Sequence, residues 1–100
     1  MVRFHRVSRA NSGTFPSAAQ WGKEVAGYLN ANFSATNVTV YEELFGEVGT
    51  IHWYADLEDL AAVDRLNAWT FGDLGYQARL NSGADFFIPG STRDTLVQMI

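Results

Sequence analysis

The sequence of 100 residues contains no cysteine, no run of basic residues and no long apolar segment. Without cysteine there can be no disulfide framework and no thiolate metal site, which suits a reducing cytoplasm. The net charge of −4, with 11 acidic and 7 scattered basic residues, argues against nucleic-acid binding. No apolar stretch is long enough for a signal peptide or a transmembrane helix. We therefore expect a cytoplasmic protein that has neither a membrane segment nor a nucleic-acid partner.

Several catalytic and cofactor-binding motifs are also missing. The sequence has no Walker loop, no G-x-S-x-G, no HExxH and no dinucleotide glycine fingerprint. The glycine pairs Gly46/Gly49 and Gly72/Gly75 are too closely spaced to stand in for these motifs. Nucleotide-dependent chemistry and chemistry of the Ser-His-Asp type are therefore excluded, and we expect no tightly held cofactor.

The residues that are present predict a packed core and one domain over residues 1–100. Apolar residues make up 47% of the chain and aromatic residues 14%, which is typical of a globular domain. Apolar periodicity and turn residues predict these elements in order: strand 2–9, helix 16–33, strands 38–45 and 48–55, a helix from Leu57 to about Trp69 with Asp56 as its N-cap, a helical piece after Gly72 that stops at 81–83, and strand 92–100.

The order β-α-β-β-α-β predicts an α+β fold of the ferredoxin-like type. Right-handed crossovers make the first two strands parallel, and the third fits between them, antiparallel to both. The result is a four-stranded antiparallel sheet with the helices on one face.

The central hairpin has two chemically different faces. A two-residue turn at Gly46-Glu47 places Tyr41 opposite His52 and Val40 opposite Trp53. The apolar face, which should meet the helices, carries Val38, Val40, Leu44, Ile51, Trp53 and Ala55, joined by Val2 and Phe4 of the first strand. The other face carries Thr39, Tyr41, Glu43, Phe45, Val48, Thr50, His52 and Tyr54, joined by Arg3, His5, Val7 and Arg9. Because this second face holds many aromatic residues, we expect a homodimer that stacks two such sheets.

With this hairpin and its run GTIHWYADLEDL (residues 49–60), the chain resembles the dimeric α/β barrel superfamily over nearly its whole length. That superfamily contains cofactor-independent monooxygenases, haem-degrading enzymes, lactone isomerases, polyketide cyclases and proteins of unknown role. Its members often hold an aromatic or polycyclic ligand between sheet and helices. The resemblance implies a pocket lined by Arg6, Glu42 and Trp53, with Trp21, Tyr28 and Tyr76 from the helices. A buried Glu42 would need a partner, and Arg6 is the candidate.

A second candidate site lies on the opposite face of the sheet. If His5 stands opposite His52, the pair could act as a general base oriented by Glu43, with Tyr41 and Tyr54 contacting substrate. Alternatively, both histidines hydrogen-bond across a dimer interface, which is the favoured interpretation; a divalent metal is the third, and we expect none.

The resemblance thus implies a dimeric α/β barrel protein that binds or transforms a small aromatic or polycyclic metabolite. The reaction types implied by the resemblance are cofactor-independent monooxygenation, cyclisation and isomerisation. The haem-degrading type is disfavoured, because the chain has no histidine in either helix. The alternative is a non-catalytic ligand-binding or structural homodimer.

Overall fold

A computed structural model describes residues 1–100 of the chain. Its elements are β1 (Val2–Arg9), α1 (Phe15–Asn32), β2 (Val38–Glu42), β3 (Thr50–Leu57), α2 (Leu60–Gly72), α3 (Leu74–Ser82) and β4 (Arg93–Gln98), with a short 3-10 turn at Ala84–Phe86. No helix combines the length and the apolar character needed to cross a membrane.

The four strands form one antiparallel sheet in the order β2-β3-β1-β4. This is the predicted ferredoxin-like sheet, with the helices on one face. The predicted pairing of β2 with β3 is confirmed, with Tyr41 opposite His52 and Val40 opposite Trp53.

The connection between β2 and β3 differs from the predicted two-residue turn. The strands stop at Glu42 and resume at Thr50, so residues 43–49 form an open loop. Gly46 and Gly49 both adopt positive φ angles, 99° and 94°, which side chains other than glycine rarely tolerate. The two glycines therefore turn the chain more gradually than a tight hairpin would.

The end of β3 also differs from the prediction. The strand continues to Leu57, two residues past the predicted end, so Asp56 lies within the strand and does not cap the helix. The N-cap of α2 is Asp59, whose carboxylate accepts a hydrogen bond from the backbone N–H of Ala62. The β1–β3 register is shifted by two residues from the prediction, and His5 stands opposite Tyr54.

The apolar core lies between the sheet and the three helices, in two adjoining clusters. One cluster includes Val2, Leu29 and Leu57, and the other includes Ala18 and Ile51. Helix α1 packs closely because its buried face carries the small residues Ala18, Gly22 and Ala26, as is typical where a helix backbone approaches a sheet. The predicted assignment of Ile51, Trp53 and Ala55 to the buried face is correct.

Candidate functional site

A cavity of about 590 Å³ opens between the helices and the helix-facing side of the sheet. Of its 26 lining residues, 17 are hydrophobic, a composition common to small-molecule sites. Its polar lining residues include Arg6, Tyr76 and Asn67. The cavity therefore joins an aromatic wall to a few polar groups.

Three aromatic side chains pack edge to face on one wall of this cavity. Trp53 meets Trp21 with ring centroids 6.1 Å apart and planes at 83°, and it meets Phe87 at 6.1 Å and 64°. The indole N–H of Trp53 donates to the carbonyl of Gly22, 3.2 Å away, while that of Trp21 donates to the carbonyl of Arg79, 2.7 Å away. With both donors already occupied, the two indoles offer the cavity ring surface and no free hydrogen bond.

Arg6 lines the cavity but does not pair with Glu42 as predicted. Its guanidinium forms a bidentate ion pair with Asp94, which stands directly opposite it on β4, at 2.7 and 2.9 Å. Strand β3 separates β1 from β2, so Glu42 lies one strand too far from Arg6 to pair with it. Glu42 is exposed on the edge strand and borders a depression on the other side of the hairpin, so it is not part of the cavity.

Tyr76 is the buried titratable group of the cavity. The residue is 7% exposed, and its hydroxyl makes no hydrogen bond within the chain. Burial raises the pKa of this phenol, Arg6 lowers it and Asp94 raises it, so Tyr76 is a neutral phenol near pH 7. Tyr28, predicted to share the pocket, donates its hydroxyl proton to Asp73 at 2.7 Å and does not line the cavity.

On the opposite face of the sheet, Glu43, His52 and His5 form a hydrogen-bonded chain that we call the histidine relay. Oε1 of Glu43 lies 2.7 Å from Nε2 of His52, and Nδ1 of His52 lies 2.8 Å from Nε2 of His5. The two imidazole planes differ by only 8°, as in-plane hydrogen bonding requires. Although the predicted register was wrong, the two histidines meet diagonally across the strand pair.

The carboxylate end of the relay is fixed by the loop of residues 43–49. The backbone N–H of Glu47 donates to Oε2 of Glu43, and the hydrogen bond from His52, followed by the one from Glu47, lowers the Glu43 pKa. An ionised Glu43 can only accept a hydrogen bond, so Nε2 of His52 carries the hydrogen and donates it to Oε1 of Glu43. In the neutral relay Nδ1 of His52 then accepts from His5. The unshared electron pair is left on Nδ1 of His5.

Aromatic rings surround the other end of the relay. Tyr54 stacks on His5 with centroids 4.5 Å apart and planes at 4°, and Tyr41 meets Tyr54 at 78°. Burial, with a smaller contribution from His52, lowers the His5 pKa. His5 is therefore mainly neutral near pH 7 and able to accept a proton.

A shallow depression of about 770 Å³ runs beside the relay. Ten residues line it, among them Tyr41, Glu43, His52 and Tyr54. No group of three or more His, Cys, Asp or Glu side chains is arranged to hold a metal ion.

The structure thus divides the predicted site residues between two faces: Arg6 and Trp53 line the cavity, whereas His5, His52, Glu43, Tyr41 and Tyr54 gather on the opposite face. The sequence reasoning missed Asp94 and Phe87. Asp94 alternates with Arg93 and Thr95 along β4, and pairing β4 with β1 would have placed it opposite Arg6. Phe87 lies in an irregular segment before β4, where no periodic signal exists.

Solved structures give the comparison that sequence does not. No protein-family model and no curated protein sequence matches the chain. An uncharacterized NIPSNAP domain protein from Burkholderia xenovorans superposes with a TM-score of 0.83 at 11% identity, over 100% of this chain and 95% of that one. The chain therefore shares the fold of this protein, a four-stranded antiparallel sheet with helices on one face.

Two further structures with this fold are similar to the chain. A NIPSNAP family protein from Agrobacterium tumefaciens matches with a TM-score of 0.79 at 11% identity, over 97% of this chain and 90% of that one. SnoaB, a cofactor-independent oxygenase from Streptomyces nogalater, matches with a TM-score of 0.72 at 13% identity, over 98% and 91%. At these identities the likeness concerns the fold.

Proposed function

We propose that this protein binds a small aromatic or polycyclic molecule in the helix-side cavity. The observation that carries the proposal is the cavity itself: about 590 Å³, walled by Trp53, Trp21 and Phe87, with Arg6 and Tyr76 as polar groups. A volume in this range suits a ligand of two to four fused rings. Edge-to-face and stacked contacts with the aromatic wall would favour flat, apolar ring systems.

Within that function, cofactor-independent oxygenation is the reaction type we favour. SnoaB, whose fold this chain shares, is a cofactor-independent oxygenase. Trp53, Tyr76 and Asn67 all line the cavity, where an indole ring, a phenol and an amide can contact an aromatic substrate. Their part would be to hold the aromatic substrate and exclude water while O₂ reacts with it.

Tryptophan fluorescence tests binding directly, because Trp21 and Trp53 lie in the cavity wall. We expect anthrone to quench their emission with a saturable isotherm. Val63→Phe, which fills the cavity, should weaken binding at least tenfold. Thr39→Val, on the opposite face of the sheet, is the matched control and should leave the isotherm unchanged. A linear, non-saturating response in the wild type would refute the proposal.

Oxygen uptake separates an oxygenase from a binding protein. An oxygenase would convert the CH₂ group of anthrone and one O₂ into the carbonyl of anthraquinone and one water. If anthrone binds and no oxygen above the buffer rate is consumed, the oxygenase proposal fails and the ligand-binding proposal stands.

We further propose a homodimer that forms through the sheet face bearing the histidine relay. The support is the mixed aromatic and polar surface there, including Tyr41, which is 57% exposed, and Val97, which is 54% exposed. In such a dimer the relay would hydrogen-bond within the interface. Sedimentation velocity over a range of protein concentrations tests this. A dimer weakened by Val97→Asp, with Glu58→Gln as an exposed control, would support the proposed face, and a monomer at all concentrations would exclude it.

The relay favours a second candidate function, general-base chemistry on that face, with His5 as proton acceptor and His52 and Glu43 stabilising the charge. In this case Tyr41 and Tyr54 would contact substrate. The two roles differ in access: a monomer leaves Nδ1 of His5 open to substrate, whereas a sheet-to-sheet dimer covers it.

We also propose a cytoplasmic location and no nucleic-acid partner, consistent with the net charge of −4.

A further inference from the structure

Most polar groups that line the helix-side cavity are already hydrogen-bonded to other groups of the chain. Ser8 and Thr92 bond each other through their hydroxyls at 2.6 Å, and Nε2 of Gln77 donates to the carbonyl of Thr70 at 2.6 Å. The indole donors of Trp21 and Trp53 are occupied by backbone carbonyls. These groups shape the cavity without offering a bond to a ligand.

The hydroxyl of Tyr76 is the exception among the buried side chains of the lining. The residue is 7% exposed, lines the cavity, and its hydroxyl has no partner in the chain. Asn67 also lacks a side-chain partner, but it is solvent-exposed, so its amide is hydrated and gains little from a ligand. The Tyr76 hydroxyl is open to the mostly hydrophobic cavity and has no partner in the chain, so a ligand oxygen there would gain a hydrogen bond with little competition from bulk water.

The only charged side chain of the lining is already neutralised. Nε and the terminal Nη2 of Arg6 donate to the two carboxylate oxygens of Asp94, in the fork geometry that guanidinium and carboxylate groups favour. A ligand carboxylate entering beside Arg6 would have to displace Asp94 or lie close to its negative charge. The cavity is therefore electrostatically closed to anions although it contains an arginine.

We propose that Tyr76 is the specificity-determining residue of this cavity, and that the ligand is a neutral aromatic compound with a hydroxyl or carbonyl oxygen that Tyr76 binds. The inference rests on the proposed ligand-binding function and narrows its ligand class: phenols and quinones are accepted, and aromatic carboxylates are rejected. Arg6 and Asp94 account for the rejection of carboxylates, because their opposite charges neutralise each other.

Three naphthalene probes of similar size test the proposal by calorimetry or tryptophan quenching at pH 7: naphthalene, 2-naphthol and 2-naphthoate. In a purely apolar cavity 2-naphthol would bind more weakly than naphthalene, because its hydroxyl would be dehydrated without compensation. We expect the opposite order, with 2-naphthol about five- to tenfold tighter, the ordinary effect of one hydrogen bond. Naphthoate should bind more weakly than naphthalene.

Two conservative variants assign the effect to named groups. Tyr76→Phe keeps the ring and should remove the advantage of 2-naphthol while changing naphthalene affinity less than twofold. Asp94→Asn frees the Arg6 guanidinium and should raise 2-naphthoate affinity at least tenfold, with little change for naphthalene. Glu58→Gln, exposed and outside the cavity, is the control, and thermal unfolding of each variant verifies folding.

The outcomes separate this inference from the function on which it rests. If none of the three probes binds the wild type, the proposed ligand-binding function fails. If naphthalene binds and 2-naphthol binds no better, or if Tyr76→Phe retains the preference, the role of Tyr76 is refuted while the binding function stands. If a variant does not fold, the order in which the wild type binds the three probes still tests the proposed preference for a neutral oxygen-bearing ligand.

Discussion

Two glycines of α1 give a matched test of how tightly the cavity wall is packed. Gly22 is buried, and a Cβ atom there would lie 2.9 Å from Cζ2 of Trp53. Gly27 is exposed on the same helix, and a Cβ atom there would meet nothing within 4 Å. The two Gly→Ala substitutions therefore share a helix and a side chain and differ in the space available.

The magnitudes follow from this difference. Alanine stabilises a helix interior by about 1 kcal/mol relative to glycine, so Gly27→Ala should raise the free energy of unfolding by about that much and the Tm by about 4–8 °C. At Gly22 the same gain is offset by overpacking, which costs about 1–3 kcal/mol. Trp53 cannot move aside easily, because Trp21 and Phe87 pack against its ring.

Urea denaturation followed by far-UV circular dichroism measures both variants. We expect Gly22→Ala to be less stable than Gly27→Ala by about 1–3 kcal/mol, the whole overpacking cost. The tryptophan emission of folded Gly22→Ala should also shift, because Trp53 has to tilt toward the cavity. Equal stability of the two variants, with an unchanged spectrum, would show that the packing between α1 and Trp53 is looser than a 2.9 Å approach implies.

Three further predictions concern the capping, the loop and the titration of the chain. Asp59→Ala should lower the free energy of unfolding by about 1 kcal/mol through loss of the α2 cap. Asp56→Ala breaks an exposed ion pair with Arg3 and should cost less than that; urea denaturation of the two variants checks the order. Gly46→Ala should displace Glu43, because a Cβ atom at Gly46 would lie 2.6 Å from Oε2 of that carboxylate and the φ angle of Gly46 is 99°. The displacement would break the hydrogen bond between His52 and Glu43, and a change in the histidine NMR spectrum would report it. Unchanged spectra would contradict the prediction. The free energy of unfolding should fall as the pH drops from 7.5 to 5.5. The His5 pKa is lowered in the folded chain, so over this range the unfolded chain binds a proton that the folded chain does not. A His5→Gln variant whose free energy of unfolding has the same dependence on pH would contradict this.

The fold could be predicted from the sequence because its local signals agree with one another. Strand β1, helix α1 and the pairing of β2 with β3 each follow from periodicity and composition, and together they leave few topologies. The errors occur where two local signals compete. Asp56 and Asp59 are both good N-cap residues, and only the pairing of Leu57 with Val2 decides in favour of the later one.

The site was less predictable, because its key partners are distant in sequence. The partner of Arg6 is Asp94, 88 residues away, and no spacing rule connects them. The contact between His5 and His52 was expected in the wrong register and arises from a diagonal arrangement. The free hydroxyl of Tyr76 could not be foreseen, since it depends on where the other buried polar side chains of the cavity find their partners.

The two central strands, β1 and β3, contribute residues both to the helix-side cavity and to the histidine relay on the opposite face. Arg6 and Trp53 are direct partners that face the cavity, whereas their neighbours in the chain, His5 and His52, face the opposite way. Because side chains alternate with a period of two, inserting or deleting one residue within β1 or β3 would exchange the contents of the two faces. Length variation among relatives should therefore be confined to the loop at residues 43–49 and the other connections. An insertion or deletion within β1 or β3 would alter the cavity and the histidine relay together.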